Sequence, residues 1–143
     1  MDAKSDSPFQ RLGNHMNKTV ISSSIGAAAA GPYSQAIRAG NLLFVSGQIP
    51  IDPSTGKVID DKSIAAQTRQ ALSNLHAIVS AAGGSTENVV KTTVFLKNMN
   101  DFGEMNSVYS EFFRSRPPAR STVEVARLPR DVSVEIDCIA ILE

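Results

Sequence analysis

The chain has 143 residues, 42% of them hydrophobic, which is apolar material for one domain with one core. Fourteen basic and 14 acidic residues cancel, so no long-range field draws the chain onto nucleic acid or an anionic membrane, and any anion site has to be local. The lone cysteine, Cys138, excludes an internal disulfide and fits a cytoplasmic, reducing setting, while the longest apolar runs, Leu42 to Val45 and Cys138 to Leu142, fall far short of the roughly 18 residues of a membrane span.

Residues 1–16 are polar and aperiodic and read as a disordered tail, leaving 17–143 as a single domain. The tail has no apolar centre of the secretory kind, and its acids Asp2 and Asp6 weigh against a mitochondrial leader. Thr19 to Ser22 is a short strand. Ile25 to Gly31 is a loop of small residues that lacks the lysine of a P-loop and the spaced glycines of a dinucleotide site. Ser34 to Ala39 and Leu42 to Ser46 are strands joined at Gly40-Asn41, which has the chemistry of a hairpin turn. Pro50, Pro53 and Gly56 then break any ladder.

A helix starts near Ser63 with an apolar stripe of Ile64, Leu72, Leu75, Val79 and Ala82, and Gly83-Gly84 stops it. His76, beside the stripe, has no second ligand one turn away and reads as structural, and His15 falls in the tail. Val89 to Leu96 is rich in β-branched residues and is expected as a central strand. Asp101 with Glu104 predicts a capped second helix, its inner side lined by Phe102, Met105, Tyr109, Phe112 and Phe113, and Pro117-Pro118 ends it.

Arg120 to Ala126 and Val132 to Ile141 read as a closing antiparallel hairpin. In the last strand Val132, Val134, Ile136, Cys138 and Ala140 form one apolar face, and on the other Ser133, Glu135 and Asp137 give way to Ile139 and Ile141. Cys138 itself reads as a small buried hydrophobe. Two helices can cover only one sheet face, so the second apolar face predicts burial against further copies of the chain in a closed homo-oligomer.

Gly31-Pro-Tyr-Ser-Gln-Ala36, Val45-Ser-Gly-Gln-Ile49, Lys91-Thr-Thr-Val-Phe95, Pro118-Ala-Arg-Ser121 and Val125-Ala-Arg-Leu-Pro129 occur in this order, and with them the chain from Thr19 to Leu142 resembles the RidA (YjgF) family. The resemblance implies a chorismate-mutase-like α+β fold, a mixed sheet covered on one face by two helices, assembled as a homotrimer with ligand clefts between subunits. It implies hydrolysis of reactive 2-imino and 2-enamino acids, such as 2-aminoacrylate, 2-iminopropanoate and 2-iminobutanoate, to 2-oxo acids and ammonia without a cofactor or metal, as metabolite damage control. By the same resemblance Arg120 grips the substrate carboxylate and Glu135 is its acidic partner, with Tyr33, Ser46, Gly47 and Asn106 lining the cleft. Thr122 stands where many relatives carry cysteine, a departure that bears on substrate preference more than on activity.

The residue chemistry agrees with those roles. A guanidinium fork grips a planar carboxylate bidentately, and Pro118 pins the backbone just before Arg120. Imine hydrolysis needs a water positioned and deprotonated as it attacks an electrophilic carbon, for which one carboxylate suffices. With the closing turn centred on Pro129, Arg120 lies opposite Cys138 and Glu135 stands three residues off, about 10 Å away. Two other functions stay open. An endoribonuclease acting on single-stranded RNA draws on Arg114, Arg116, Arg120, Arg127 and Arg130, although that stretch has no aromatic for base stacking and no histidine for acid–base work. A non-catalytic small-ligand-binding trimer would use the same cleft.

Overall fold

Gly40 adopts φ +62°, the left-handed geometry that reverses the chain between strands Ala36–Ala39 (β2) and Leu42–Gln48 (β3). That expected hairpin is one part of a computed structural model that describes residues 17–143; the tail predicted over 1–16 lies outside the described residues. A first strand, Lys18–Ile21 (β1), pairs antiparallel with β2. Between the prolines the chain forms a two-residue ladder after all: Ile51–Asp52 (β4) pairs with Lys57–Val58 (β5). Both prolines flank those ladder residues, and Gly56 (φ +72°) makes the turn.

The first helix, Ile64–Ala81 (α1), starts where the Ser63 side chain accepts the Ala66 N–H and ends before Gly83 at φ +90°. Its stripe is wider than the aliphatic residues alone suggest. Leu72, Leu75, Ile78 and Val79 are buried, but so are Gln67, Thr68 and Asn74. The strand Val89–Leu96 (β6) follows, and then the helix Phe102–Phe112 (α2), which buries Met105, Val108 and Tyr109. Asp101 stands at the N-cap position of this helix as expected, but without the capping side-chain bond. Asp101 ends a short 3-10 turn in helical geometry and bonds no N–H with its side chain, while Asn98 caps that turn through the Asn100 N–H.

The last two strands, Ala119–Glu124 (β7) and Val134–Ile141 (β8), are not a hairpin. The six-stranded sheet runs β1-β2-β3-β8-β6-β7, with β8 antiparallel to both β3 and β6 and with β7 parallel to β6 at the edge. β8 can hold the middle because its residues 134, 136, 138 and 140 are all buried. β7 alternates between exposed and half-buried residues, as an edge strand does. β6 is interior but one place from that edge, so β3 and β8 form the centre.

Both helices lie on the face that carries Leu43, Val45, Val94, Leu96, Ile136 and Cys138, and the core forms between them and the sheet. The opposite face is open in the single chain. Across four strands it aligns Val20, Ile37, Phe44 and Ile139, with Phe44 and Ile141 each 43% exposed. No helix among the described residues is long and apolar enough to cross a membrane.

Candidate active site

The sheet separates the sequence-predicted residues into two hollows. Tyr33, Ser46, Gly47 and Glu135 line one, of about 420 Å³, together with Ala30, Ile49, Ile51, Pro129 and Arg130. Asn106 and Arg120 line the other, of about 390 Å³, together with Tyr109, Ser110, Phe113, Pro117 and Pro118.

Strand parity explains the separation. Arg120 pairs with Thr92 and Thr92 with Cys138, so all three share the helix-side face. Glu135 pairs with Phe95, three residues along β8 from Cys138, and therefore points to the open face. The expected level of Arg120 with Cys138 holds, but β6 runs between them. Two strand spacings plus three residues of rise put the two backbones about 14 Å apart, with the side chains on opposite faces. Within one chain they do not meet, which corrects the distance of about 10 Å expected from a hairpin.

The Glu135 hollow is shaped by a bulge. The register of β3 against β8 shifts between Val45 and Gln48, so Ser46 and Gly47 leave the ladder. The Ser46 hydroxyl donates to the Ser34 carbonyl (2.6 Å) and its N–H to the Gln35 carbonyl (2.9 Å). Gly47 lets the Glu135 side chain approach, because a Cβ there would stand 2.9 Å from Cδ of Glu135 and push the carboxyl aside. The carboxyl thus lies directly on the bulged backbone. Burial, and then the neighbouring Asp137 charge, push the Glu135 pKa above the usual carboxylate range. Tyr33 forms an exposed rim, its hydroxyl accepting the Ala30 N–H (3.2 Å).

Buried amides that the sequence reading passed over hold this hollow in place. Asn74 on α1 donates to the carbonyls of Ile49 (3.2 Å) and Ile51 (2.8 Å), fixing one wall. Gln67, two turns earlier, accepts the Ser133 N–H (2.8 Å) just before β8 and Glu135. Gln35 accepts the Ser23 N–H (2.6 Å) and ties down the small-residue loop through the Ala27 carbonyl. The available signal was a polar residue at a core position of the helical stripe, since residues 67 and 74 fall on the buried face of α1.

The Arg120 hollow is electrostatically the reverse. The guanidinium carbon sits 4.6 Å from the ring centre of Tyr109 and 5.4 Å from that of Phe102, and Nη1 donates to Asn106 Oδ1 at 2.7 Å. The ion pairs among the described residues are Arg69–Glu111 and Lys97–Asp131, so Arg120 has no carboxylate partner there. Tyr109 is locked in turn by a 2.6 Å hydrogen bond with Thr92. Its hydroxyl pKa is raised by burial, while that bond and the Arg120 charge pull the other way. Thr122, two residues on, faces the same side, and its buried hydroxyl has no hydrogen-bond partner.

Cys138 is buried, and burial together with the Asp137 charge pushes its thiol up to about 12, so at neutral pH it is a neutral hydrophobe as its pattern suggested. Among the described residues no three His, Cys, Asp or Glu side chains group as a metal site. The arrangement offers a positive fork able to take a planar carboxylate, and a half-buried carboxylate able to take a proton, on opposite faces of one sheet.

Residues 24–142 match the family described as Endoribonuclease L-PSP. The chain is 55% identical over 126 residues to a RutC family protein of Pyrococcus horikoshii, a match covering 88% of this chain and 99% of that one. It is 50% identical over 129 residues to the 2-iminobutanoate/2-iminopropanoate deaminase of Escherichia coli K12, covering 88% of this chain and 98% of the enzyme. Among solved structures, E. coli TdcF with bound serine superposes with a TM-score of 0.83 at 43% identity, covering 87% of this chain and 99% of that one.

Proposed function

The chain belongs to the Endoribonuclease L-PSP family, also known as the RidA (YjgF) family, and from that premise we propose that it hydrolyses small 2-imino acids, with their enamine tautomers, to 2-oxo acids and ammonia. The observation that carries this reading is Arg120: a guanidinium stacked on two rings, steadied by Asn106 and left without a carboxylate among the described residues. A 2-imino acid brings that carboxylate. Thr122 stands two residues on along the same strand face, its buried hydroxyl without a partner.

The two hollows form one site when a second copy brings its Arg120 side to the Glu135 side of the first, in a closed homotrimer. The apolar row Val20, Ile37, Phe44 and Ile139 supports such an assembly, because an open sheet face of this kind calls for cover. In the composite cleft Arg120 and Asn106 hold the substrate carboxylate, Tyr33 walls the cleft, and Ser46 and Gly47 present backbone groups beside Glu135. Glu135 takes a proton from water as the oxygen bonds to C2 of the protonated imine, giving a neutral carbinolamine. Glu135 returns that proton to the nitrogen and then takes the hydroxyl proton as the C–N bond breaks and the C=O bond forms; the 2-oxo acid leaves, and ammonia carries the proton away as ammonium, restoring the carboxylate. The elevated pKa of Glu135 supports this role, since it makes the carboxylate a stronger base.

The test is a coupled assay in which a lyase generates 2-aminoacrylate or 2-iminobutanoate and oxo-acid appearance is followed with and without the protein. Acceleration above the spontaneous rate is the expected result. No acceleration, with cleavage of single-stranded RNA by metal-free protein, would replace this reading by the nuclease one. Binding of 2-oxo acids without turnover would leave a ligand-binding trimer.

A further inference from the structure

The turn that closes one side of the Glu135 hollow is built against its own backbone preference. Arg130 (φ 54°) and Asp131 (φ 55°) follow one another in the left-handed region, and neither is glycine. Each is tied to a different part of the fold. Arg130 Nη1 donates to the Gly56 carbonyl at 2.9 Å, joining the turn to the β4–β5 hairpin, and Lys97 Nζ, just past β6, donates to Asp131 Oδ1 at 2.6 Å. Pro129 and Arg130 line the hollow together with Ile49 and Ile51, whose carbonyls are held from beneath by the buried Asn74. The wall on the hairpin side is therefore fixed by a buried amide. The wall on the turn side is strained and latched by two exposed bonds.

The direction of a bound substrate follows from these placements. With its carboxylate at Arg120 of a neighbouring copy and C2 at Glu135, the remaining substituent on C2 has to occupy the rest of the hollow, where Ile49, Ile51 and Pro129 offer apolar surface. The position of the Pro129–Asp131 turn then decides how long or branched that substituent can be.

We propose that the Pro129–Asp131 turn is a latched wall that sets the upper size of the aliphatic side chain accepted beside Glu135, with Arg130 as the positioning residue that latches it to Gly56. The inference rests on the imine-hydrolase reading and adds to it a determinant of substrate size. Strain supplies the direction of change: released from its anchor, a turn held in left-handed geometry relaxes away from that geometry, and the hollow loosens on that side.

The experiment compares kcat/KM for 2-iminobutanoate with that for 2-imino-4-methylpentanoate, each generated in place by an amino-acid oxidase, in full-length protein. Arg130→Ala raises the ratio of branched to short substrate about tenfold, the scale on which a pocket discriminates one or two methylene groups. Lys97→Met, which frees the other anchor, moves the ratio the same way. Arg130→Lys keeps a donor for the Gly56 carbonyl and holds the wild-type ratio. Arg38→Ala removes a similar side-chain bond, to the Gly40 carbonyl (2.9 Å) at the far turn, and leaves the ratio alone. Calorimetry with 2-oxobutanoate and 4-methyl-2-oxopentanoate reads the same preference without turnover. A wild type inactive on both imines overturns the hydrolase reading and this inference with it. An active wild type whose ratio stays within twofold in both Arg130→Ala and Lys97→Met overturns the latched wall alone.

Discussion

Arg120 is a charge surrounded by ring faces and one amide, while Glu135 is a charge pressed onto bulged backbone beside a second acid. The first surrounding attracts a charge, because aromatic faces and a side-chain carbonyl all offer electron density to a guanidinium. The second penalises it, because burial and Asp137 both raise the carboxyl pKa. Each hollow lacks what the other holds. A sheet cannot bring two of its own opposite faces together, so on the proposed reading the site is assembled from unlike surfaces of two copies, with the substrate between them.

The sharpest way to break this comparison is to remove the base. Glu135→Gln keeps the shape and can still bond a water but cannot take its proton, so imine turnover falls by about 10² to 10⁴ once spontaneous hydrolysis is subtracted. Affinity for pyruvate, measured separately by calorimetry, changes little. Equal turnover in variant and wild type would make Glu135 a wall residue only.

Next in size is the cation. Arg120→Lys keeps the charge and loses the planar fork, and lysine cannot reproduce the stacking between Phe102 and Tyr109. Loss of one charge-assisted bond costs about 1.5 to 3 kcal/mol, so kcat/KM falls roughly 10- to 150-fold while folding, followed by circular dichroism, is retained. Near-normal activity would remove Arg120 from the site.

Mixing the two variants turns the geometric contrast into a number. If the cleft takes Glu135 from one copy and Arg120 from the next, refolding Glu135→Gln with Arg120→Lys in equal amounts pairs two intact halves in about one quarter of the clefts. Activity returns to about one quarter of wild type, well above either parent. A site contained in one chain would give only the mean of the two parents.

The sequence carried the surroundings of Glu135 and Arg120 more plainly than the strand pairing that separates them. Ser46-Gly47 and Tyr33 fell beside Glu135, and Asn106 beside Arg120, because short motifs fix local chemistry wherever the chain goes. What it did not carry was the pairing of β7. A five-residue link, Arg127 to Asp131, followed by a strongly patterned strand is what a hairpin looks like, yet β8 was already claimed on both edges by β3 and β6. Pairing partners are a tertiary competition that period-two patterns do not encode. The strand faces themselves were legible, since 134, 136, 138 and 140 are buried as the alternation required. Asn74 and Gln67 were not read, because an amide on an apolar stripe becomes meaningful only when the carbonyl or N–H it serves is known.

The smallest expected effect concerns pH, and it tests the Glu135 hollow by itself. A carboxyl whose folded pKa exceeds its unfolded value keeps its proton in the folded state over a window where the unfolded chain has already released it. There the unfolded state binds fewer protons, so unfolding free energy falls as pH rises through the window, and the deficit persists above it. Glu135 and Asp137, both raised by burial, act in this sense. Asp131, lowered first by its bond from Lys97, acts in the opposite one: its contribution is present above the ordinary carboxylate value and is lost as pH falls through its lower folded value. Glu135→Gln removes a penalty that is present only above the window, so its gain in denaturation midpoint over wild type is larger at about pH 8 than at about pH 5. Activity supplies the matching half of the test. The acid limb of kcat/KM in wild type lies above the usual carboxylate range, and Asp137→Asn, which removes the second cause of the shift, moves that limb to lower pH. A stability difference that is flat in pH, together with an acid limb that Asp137→Asn does not move, would mean that the carboxylate stays fully hydrated in the assembled protein and that its burial beside Gly47 does not govern its proton.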